Sequence, residues 1–562
     1  MLTNAYNNGY RKIKLPVGTY AINSEIPIVL PTNTTIDMNT STFKIDSNAK
    51  NGSQIVKIAD ASNTTLKNGI IEGDRYTHDY STYNETTTSH EFNVGLRIEQ
   101  NCNNVTIDGV KFKNITGYGI YTTQGTGYAV TNLDKTLLES GSFNTSGNKI
   151  ADATKVRYPD RVSLTQYAKL GYMQVGTYLN YQNYLFNSTR DVTVLMFTSG
   201  GTLVSNVTSK LYRPIEVPSN ASYCYLVFNQ SDPTDILNGD IYKLDVFHMK
   251  PPKNCTIKNC VFDDCRCLGI ALCGGWNMTI QDNEFKNISK PATDTSSPNY
   301  QFGRPGYGID IEDGWEGTQD LLIIGNKFSN NGFGDIVAMA GDNIQLTNND
   351  FTGRVAFYSR ATNYKVSYNR FVNAIATYET EKDYAFNVYA NTYENTTIKA
   401  KCYKPYKTDY ATFTGETITN SKMQMDTSVT LRNSTVTLDG STGARFTGSY
   451  DTCIIKNVDA SDANSDYNTG IKFNQCNIYN SNFFPAKDTV MTYNTFDACR
   501  IRLDGGTLIF TNNEIKTNPK NATMPIVQLN GGTSATIKDN TLDEGVTVDL
   551  YTNPAGITVI TE

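Results

Sequence analysis

The sequence predicts an all-β chain wound as a parallel β-solenoid, with a β-sandwich looped out of one coil. Three observations carry that expectation: a recurring nonapeptide, a composition of strand and turn residues, and a long interruption of different character. The nonapeptide reads NVTIDGVKF (104–112), NCTIKNCVF (254–262), NMTIQDNEF (277–285), DLLIIGNKF (320–328), NIQLTNNDF (343–351) and NYKVSYNRF (363–371). Its fourth residue is always aliphatic and its ninth always Phe, and Asn stands seventh in four copies, at Asn283, Asn326, Asn349 and Asn369. Later echoes are VMTYNTF (490–496), LIFTNNEI (508–515) and TIKDNTL (536–542). The spacing is 23 residues from Phe262 to Phe285, 23 from Phe328 to Phe351 and 20 from Phe351 to Phe371. A strand, a turn and a second strand in that length make one solenoid coil. Coils stack about 4.8 Å apart, so like residues superpose. The Asn column therefore predicts an inward amide ladder, and the Phe column an aromatic ladder in the core.

Composition agrees. Of 562 residues only 19% are charged, while Tyr (36) and Gly (42) are plentiful, a balance that favours strands and turns over long helices. The net charge of −6 argues against a nucleic-acid partner, which requires a basic face. No apolar run is long enough for a transmembrane helix, so no membrane partner is expected. The first residues, MLTNAYNNGYRKIKLP, lack the apolar segment of a signal peptide. The 11 Cys show no disulfide-scaffold spacing and read as reduced thiols, consistent with assembly in a reducing cytoplasm. Cys255, Cys260, Cys265, Cys267 and Cys273 lack the paired C-x-x-C of structural zinc and read as small apolar filler.

The repeats, together with the opening KIKLPVGTYAINSEIPIVLPTNTTIDMNTSTFKI (12–45), resemble the right-handed parallel β-helix of the pectate-lyase-like superfamily, including its entry coils. The resemblance covers residues 1–123 and 253 to about 560. It specifies architecture rather than chemistry, because the scaffold carries lyases, hydrolases, epimerases and inert receptor binders. Between its two parts, residues 124–252 hold the strand-like runs DVTVLMF (191–197) and SYCYLVF (222–228) and no coil repeat, and they read as an inserted β-sandwich. This segment resembles jelly-roll modules in tail proteins of phages that infect Gram-positive bacteria. Carbohydrate binding and a spacer or trimer contact are both open to it.

The stretch GYGIDIEDGW (306–315) concentrates Asp310, Glu312 and Asp313 on one short strand. Aligning GLRIE (95–99), GIYTT (119–123), GIALC (269–273), GIDIE (308–312) and DIVAM (335–339) places Ile309 and Ile311 inward and Asp310 and Glu312 outward, since side chains alternate along a strand. The outward column becomes Arg97, Tyr121, Ala271, Asp310, Val337, with Asp335 diagonal to Asp310. Separations of roughly 6.5–8 Å fit inverting glycoside hydrolysis, in which one carboxylic acid protonates the leaving oxygen and another activates water. A solvated face and a Ca2+ site are the alternatives; no other cofactor is implied. Trp276 and Trp315 follow the aligned inward Ile by six residues each and are expected together at a groove rim, stacking on sugars or on a turn.

A second constellation, IIEGDRYTHDYSTYNETTTSHEF (70–92), supplies Asp74, Arg75, His78, His90 and Glu91 and is too polar for a coil strand. It resembles loops of phage and bacterial relatives of the polygalacturonase-type hydrolases. Its histidines and carboxylates suit substrate positioning, acid–base work or metal binding. The motifs of polygalacturonases (N-T-D, G-H-G, R-I-K) and of classical pectate lyases (W-x-D-H, R-x-P-x-x-R) are absent, which argues against pectin. The resemblance thus implies a phage tail-spike-like depolymerase of a bacterial surface polysaccharide, homotrimeric, in the virion tail or extracellular. Its catalytic residues would be Asp310, Glu312, Asp313 and Asp335. Asp74, Arg75, His78, His90, Glu91, Arg97, Tyr121, Trp276 and Trp315 would bind substrate. A non-catalytic carbohydrate receptor binder and a secreted polysaccharide lyase are the rival expectations.

Overall fold

The computed structural model describes residues 2–123, 128–164, 171–176, 191–211, 213–229, 244–290, 303–312, 317–358, 361–381, 386–403, 411–440, 444–461 and 470–561. After a short helix at Leu2–Asn7, the chain forms coil upon coil of short strands, each paired in parallel with the equivalent strand one coil on. One cluster of buried apolar side chains runs the length of this stack, from Leu15 to Ile537. The first face of each coil holds strands such as Thr256–Lys258 and Gly275–Gln281, the second holds Val261–Asp263 and Glu284–Lys286, and the third holds Leu268–Leu272 and Tyr307–Ile311.

Both predicted ladders are present. Rings of Phe112, Phe262, Phe285 and Phe328 stack at centroid distances of 4.9, 4.7 and 4.8 Å, within 7° of parallel. Phe351, Phe371 and Tyr393 continue the column at 5.1, 5.0 and 4.7 Å. In the amide ladder, Oδ1 of Asn326 accepts both N–H and Nδ2–H of Asn283 at 2.9 Å, while Asn283 Nδ2 also donates to Ile257 O at 3.0 Å. Asn326 to Asn349, Asn349 to Asn369 and Asn369 to Asn391 repeat the geometry. Each buried turn amide thus finds its partner inside the stack, avoiding the roughly 1–3 kcal/mol cost of an unmade buried hydrogen bond.

The nonapeptide has a further regularity in its backbone. Its first residue is left-handed in all six copies, with φ between 50° and 57° at Asn104, Asn254, Asn277, Asp320, Asn343 and Asn363. Its sixth residue is left-handed as well, at Gly109, Asn259, Asp282, Gly325, Asn348 and Tyr368. Asn, Asp and Gly tolerate that region, which explains why the polar turn residues recur where they do.

Strand Tyr118–Thr122 pairs directly with Leu268–Leu272, so the coils on either side of residues 124–252 are neighbouring rungs. The intervening chain forms antiparallel sheets: Tyr128–Leu133, Leu244–Met249, Tyr172–Gly176 and Ile215–Glu216 in one, and Lys155–Arg157, Tyr223–Asn229, Asp191–Phe197 and Leu203–Lys210 among the strands of another. Val192, Val194, Leu226 and Phe228 from one sheet share an apolar cluster with Met173, Val175 and Val246 from the other. The segment meets the coils where Trp276 packs against Tyr172, Phe247 and Met249, and where Arg213 pairs with Asp320 and Asp342.

Candidate active site

The third face carries the predicted column in the predicted register: Arg97, Tyr121, Ala271, Asp310 and Val337 lie on successive rungs, with Lys57 on the rung before Arg97. Backbone hydrogen bonds extend the register to Thr123, Cys273, Glu312 and Met339. Exposure differs from expectation. Asp310 is only 1% exposed. A second apolar cluster, made of Val94, Tyr118, Cys267, Leu268 and Ala271 with Tyr121 and Tyr307 against it, covers the outer face of the sheet there. Pointing away from the core is therefore not the same as reaching water. Glu312, at the strand end, remains half-exposed.

Asp335 departs further. It is fully buried, and its carboxylate accepts Asn331 Nδ2 (3.0 Å) and the backbone N–H groups of Thr352 (2.9 Å) and Gly353 (2.6 Å). It holds the turn of the next coil at Thr352 and Gly353 and does not join Asp310 on the outer face. Burial pushes its pKa up to about 6. Trp276 is 8% exposed and faces the antiparallel sheets, with no sugar platform. Asp313 and Trp315 lie outside the described residues. Arg97 is half-buried; its Nε meets Glu99 at 2.7 Å and its guanidinium lies 5.2 Å from the Tyr121 ring centre.

The loop after Glu72 also folds inward. His78 Nδ1 is 2.8 Å from Asp74 Oδ2, His78 Nε2 is 2.8 Å from His90 Nδ1, and His90 Nε2 is 3.2 Å from Thr82 Oγ1. With both rings neutral, one set of tautomers satisfies every link: His78 donates to Asp74, His90 to His78, and the Thr82 hydroxyl to His90. Asp74 further accepts Thr116 Oγ1 at 2.6 Å and Asn48 Nδ2 at 2.8 Å. Burial, then the neighbouring His78 and Arg266, holds the His90 pKa below the usual imidazole value. Arg75 is buried with its guanidinium on Asp264 and on the carbonyls of Asp264 and Lys290. Asp74, Arg75, His78 and His90 thus fasten the loop and do not line a groove; the physical reason is that a polar loop packed on coils must satisfy its buried groups internally.

What this fastening delivers is Glu91. The residue follows His90, whose left-handed φ of 57° turns the chain, and its carbonyl lies against Gly117, where a Cβ would overlap it at 1.8 Å. Burial raises the Glu91 carboxyl pKa, the negative charge of Glu312 adds to this, and Tyr118, Ser89 and Arg266 pull against it. The Glu91 carboxyl is thus biased toward its protonated form, chiefly by burial. Next to Glu91, Phe92 is 45% exposed, with its ring centre 6.0 Å from Tyr118 and 6.2 Å from Tyr121. Buried Arg266 ties this region together, donating to Thr116 O (2.6 Å) and Ser89 O (2.5 Å). Sequence reasoning missed Phe92, Tyr118 and Arg266. The available signal was an aromatic directly after Glu91 in a loop otherwise made of polar residues and Tyr. Among the described residues no group of three His, Cys, Asp or Glu is arranged to hold a metal ion.

Fold and site together define a right-handed parallel β-helix protein. Residues 245–423 match the family described as right handed beta helix region. The chain is 32% identical over 131 residues to the uncharacterized protein YclG of Bacillus subtilis (strain 168), a match covering 21% of this chain and 22% of that one. It is 28% identical over 132 residues to the SPbeta prophage-derived uncharacterized protein YorA of the same organism, again covering 21% and 22%. The chain thus spans about a fifth of the length of these curated relatives. Among solved structures, the N-terminal fragment of bacteriophage Phi29 gene product 12 aligns with a TM-score of 0.34 and 10% identity, over 96% of this chain and 79% of that one.

Proposed function

We propose that this protein is a tail-spike-like depolymerase that hydrolyses glycosidic bonds of a bacterial surface polysaccharide, with Glu91 as general acid and Glu312 as general base. The observation that carries the reading is the Glu91 carboxyl, pushed toward its protonated form by burial and by Glu312, on a face with an exposed aromatic ring. The proton on Glu91 passes to the glycosidic oxygen as the anomeric C–O bond breaks, while Glu312 takes a proton from the attacking water. Phe92 and Tyr121 offer ring faces to the apolar CH surface of a sugar. The antiparallel sheets of residues 124–252 serve as an accessory carbohydrate-binding module, and the prophage origin of YorA supports placement in a virion tail.

Incubation with bacterial capsular and cell-wall material tests this. New reducing ends without ultraviolet absorbance are expected. Absorbance of an unsaturated product would instead mean a lyase. Saturable binding with no cleavage of any glycan would leave a receptor binder, a reading favoured by how many of the polar loop residues are tied into the fold.

A further inference from the structure

The third face changes charge as it continues past Asp310. The column runs Asp310, Val337, Ala356, Thr377, Lys399, Gln424, and the column beside it runs Arg354, Ile375, Thr397, Lys422. These two columns form an open recess of about 450 Å³ lined by Arg354, Lys399 and Lys422 together with Thr377, Thr397, Gln424 and Ile375. Its lining, among the described residues, holds three cations, two hydroxyls and an amide, and no carboxylate. Arg354 is oriented by a 2.8 Å bond from its guanidinium to the Tyr358 hydroxyl. Acids do occur nearby, but on the next column: Glu379 stands opposite Lys401.

The cations are spread along the stack: Lys399 and Lys422 stand on adjacent rungs, and Arg354 two rungs before Lys399. A chain with net charge −6 thus gathers three of them around one concavity. Convergent Arg and Lys with hydroxyl donors form a receptor for a multi-oxygen anion. Thr377 lies three rungs from Asp310, about 14 Å along the stack. We propose that this recess is a subsite for an acidic group, a carboxylate or a phosphate ester, borne by the glycan several sugar units from the bond at Glu91 and Glu312. The inference rests on the glycan reading above and narrows it to acidic polymers. It also sets direction: the carboxylate end of the face repels the acidic group, and the cationic end captures it.

Titration calorimetry on the full chain tests the subsite with three probes: oligogalacturonate for a carboxylate, polyphosphate for a phosphate and dextran as the neutral control. One acidic probe is expected to bind at least about tenfold more tightly than dextran, to weaken with added salt, and to lose that preference in the double variant Arg354→Gln/Lys422→Gln. If the double variant does not fold, Lys399→Gln is expected to show the same loss in part. Equal binding of all three probes, or a preference unchanged in the folded variants, overturns the subsite. Acidic binding that these variants abolish, without release of reducing ends, leaves the subsite standing and removes the hydrolase. Cleavage of a neutral glycan with no acidic preference does the reverse.

Discussion

Glu91 and Tyr368 show how much a single side chain depends on where the coils put it. Glu91→Gln keeps the shape and removes the transferable proton. Its expected effect is a fall of about 10²–10⁴-fold in kcat with an unchanged thermal midpoint. Wild-type activity should persist above the ordinary Glu range and fall only as Glu91 deprotonates at its raised pKa; an alkaline limb unchanged in position in Glu91→Gln would remove Glu91 from the mechanism. Tyr368 occupies the left-handed sixth position of its nonapeptide with φ 56°, where Gly, Asn or Asp stands in the other five. That conformation costs an ordinary residue roughly 1–2 kcal/mol, partly offset by the edge contact with Tyr389 at 5.5 Å. Tyr368→Gly is expected to stabilise the protein by about 0.5 kcal/mol, and a lowered thermal midpoint would contradict it.

At the scale of the element, the amide ladder ends on an acid. Asn391 N–H donates to Glu416 Oε2 at 2.9 Å, and Glu416 N–H to Ser434 Oγ at 3.0 Å, so a carboxyl stands where earlier rungs place Asn. Glu416 is buried, and that burial pushes its pKa up to about 8 from an ordinary 4.5. The folded state therefore holds a proton that the unfolded chain releases. By linkage its contribution is complete below about pH 4.5 and is lost as pH rises through about 8. Glu416→Gln should leave the thermal midpoint near wild type at pH 4 and raise it above wild type at pH 9. Equal midpoints at pH 9 would show the carboxyl to be otherwise compensated. The ladder itself was legible in the repeated seventh Asn. Its continuation through Glu416 was not, because an acid at one rung carries no repeat signal until the stack shows which atom it faces.

At the scale of the whole molecule, a long stack exposes apolar side chains in its C-terminal coils, among them Ile454, Tyr479, Tyr493 and Ile509. Under the tail-spike reading proposed above, these side chains are candidates for a contact between copies of the chain. The protein is expected to form a trimer in solution, with a mass by light scattering three times that of the chain; a monomer at micromolar concentration would refute it. No helix among the described residues is long and apolar enough to cross a membrane.

Periodicity alone determined the solenoid, its register, both ladders and the inward and outward alternation of the third face, because stacking superposes like residues and a repeat is written directly into the chain. It determined equally that Asp310 and Glu312 point away from the core. Whether they meet water was decided only in three dimensions, by Leu268, Ala271 and Tyr307 covering the sheet. The same holds for Asp74, His78 and His90, whose polarity reads as a groove and whose mutual bonds bury them. It holds too for the recess of Arg354, Lys399 and Lys422, drawn from separate coils. Exposure and electrostatic neighbourhood depend on contacts between residues far apart in sequence, and those contacts exist only once the coils are stacked.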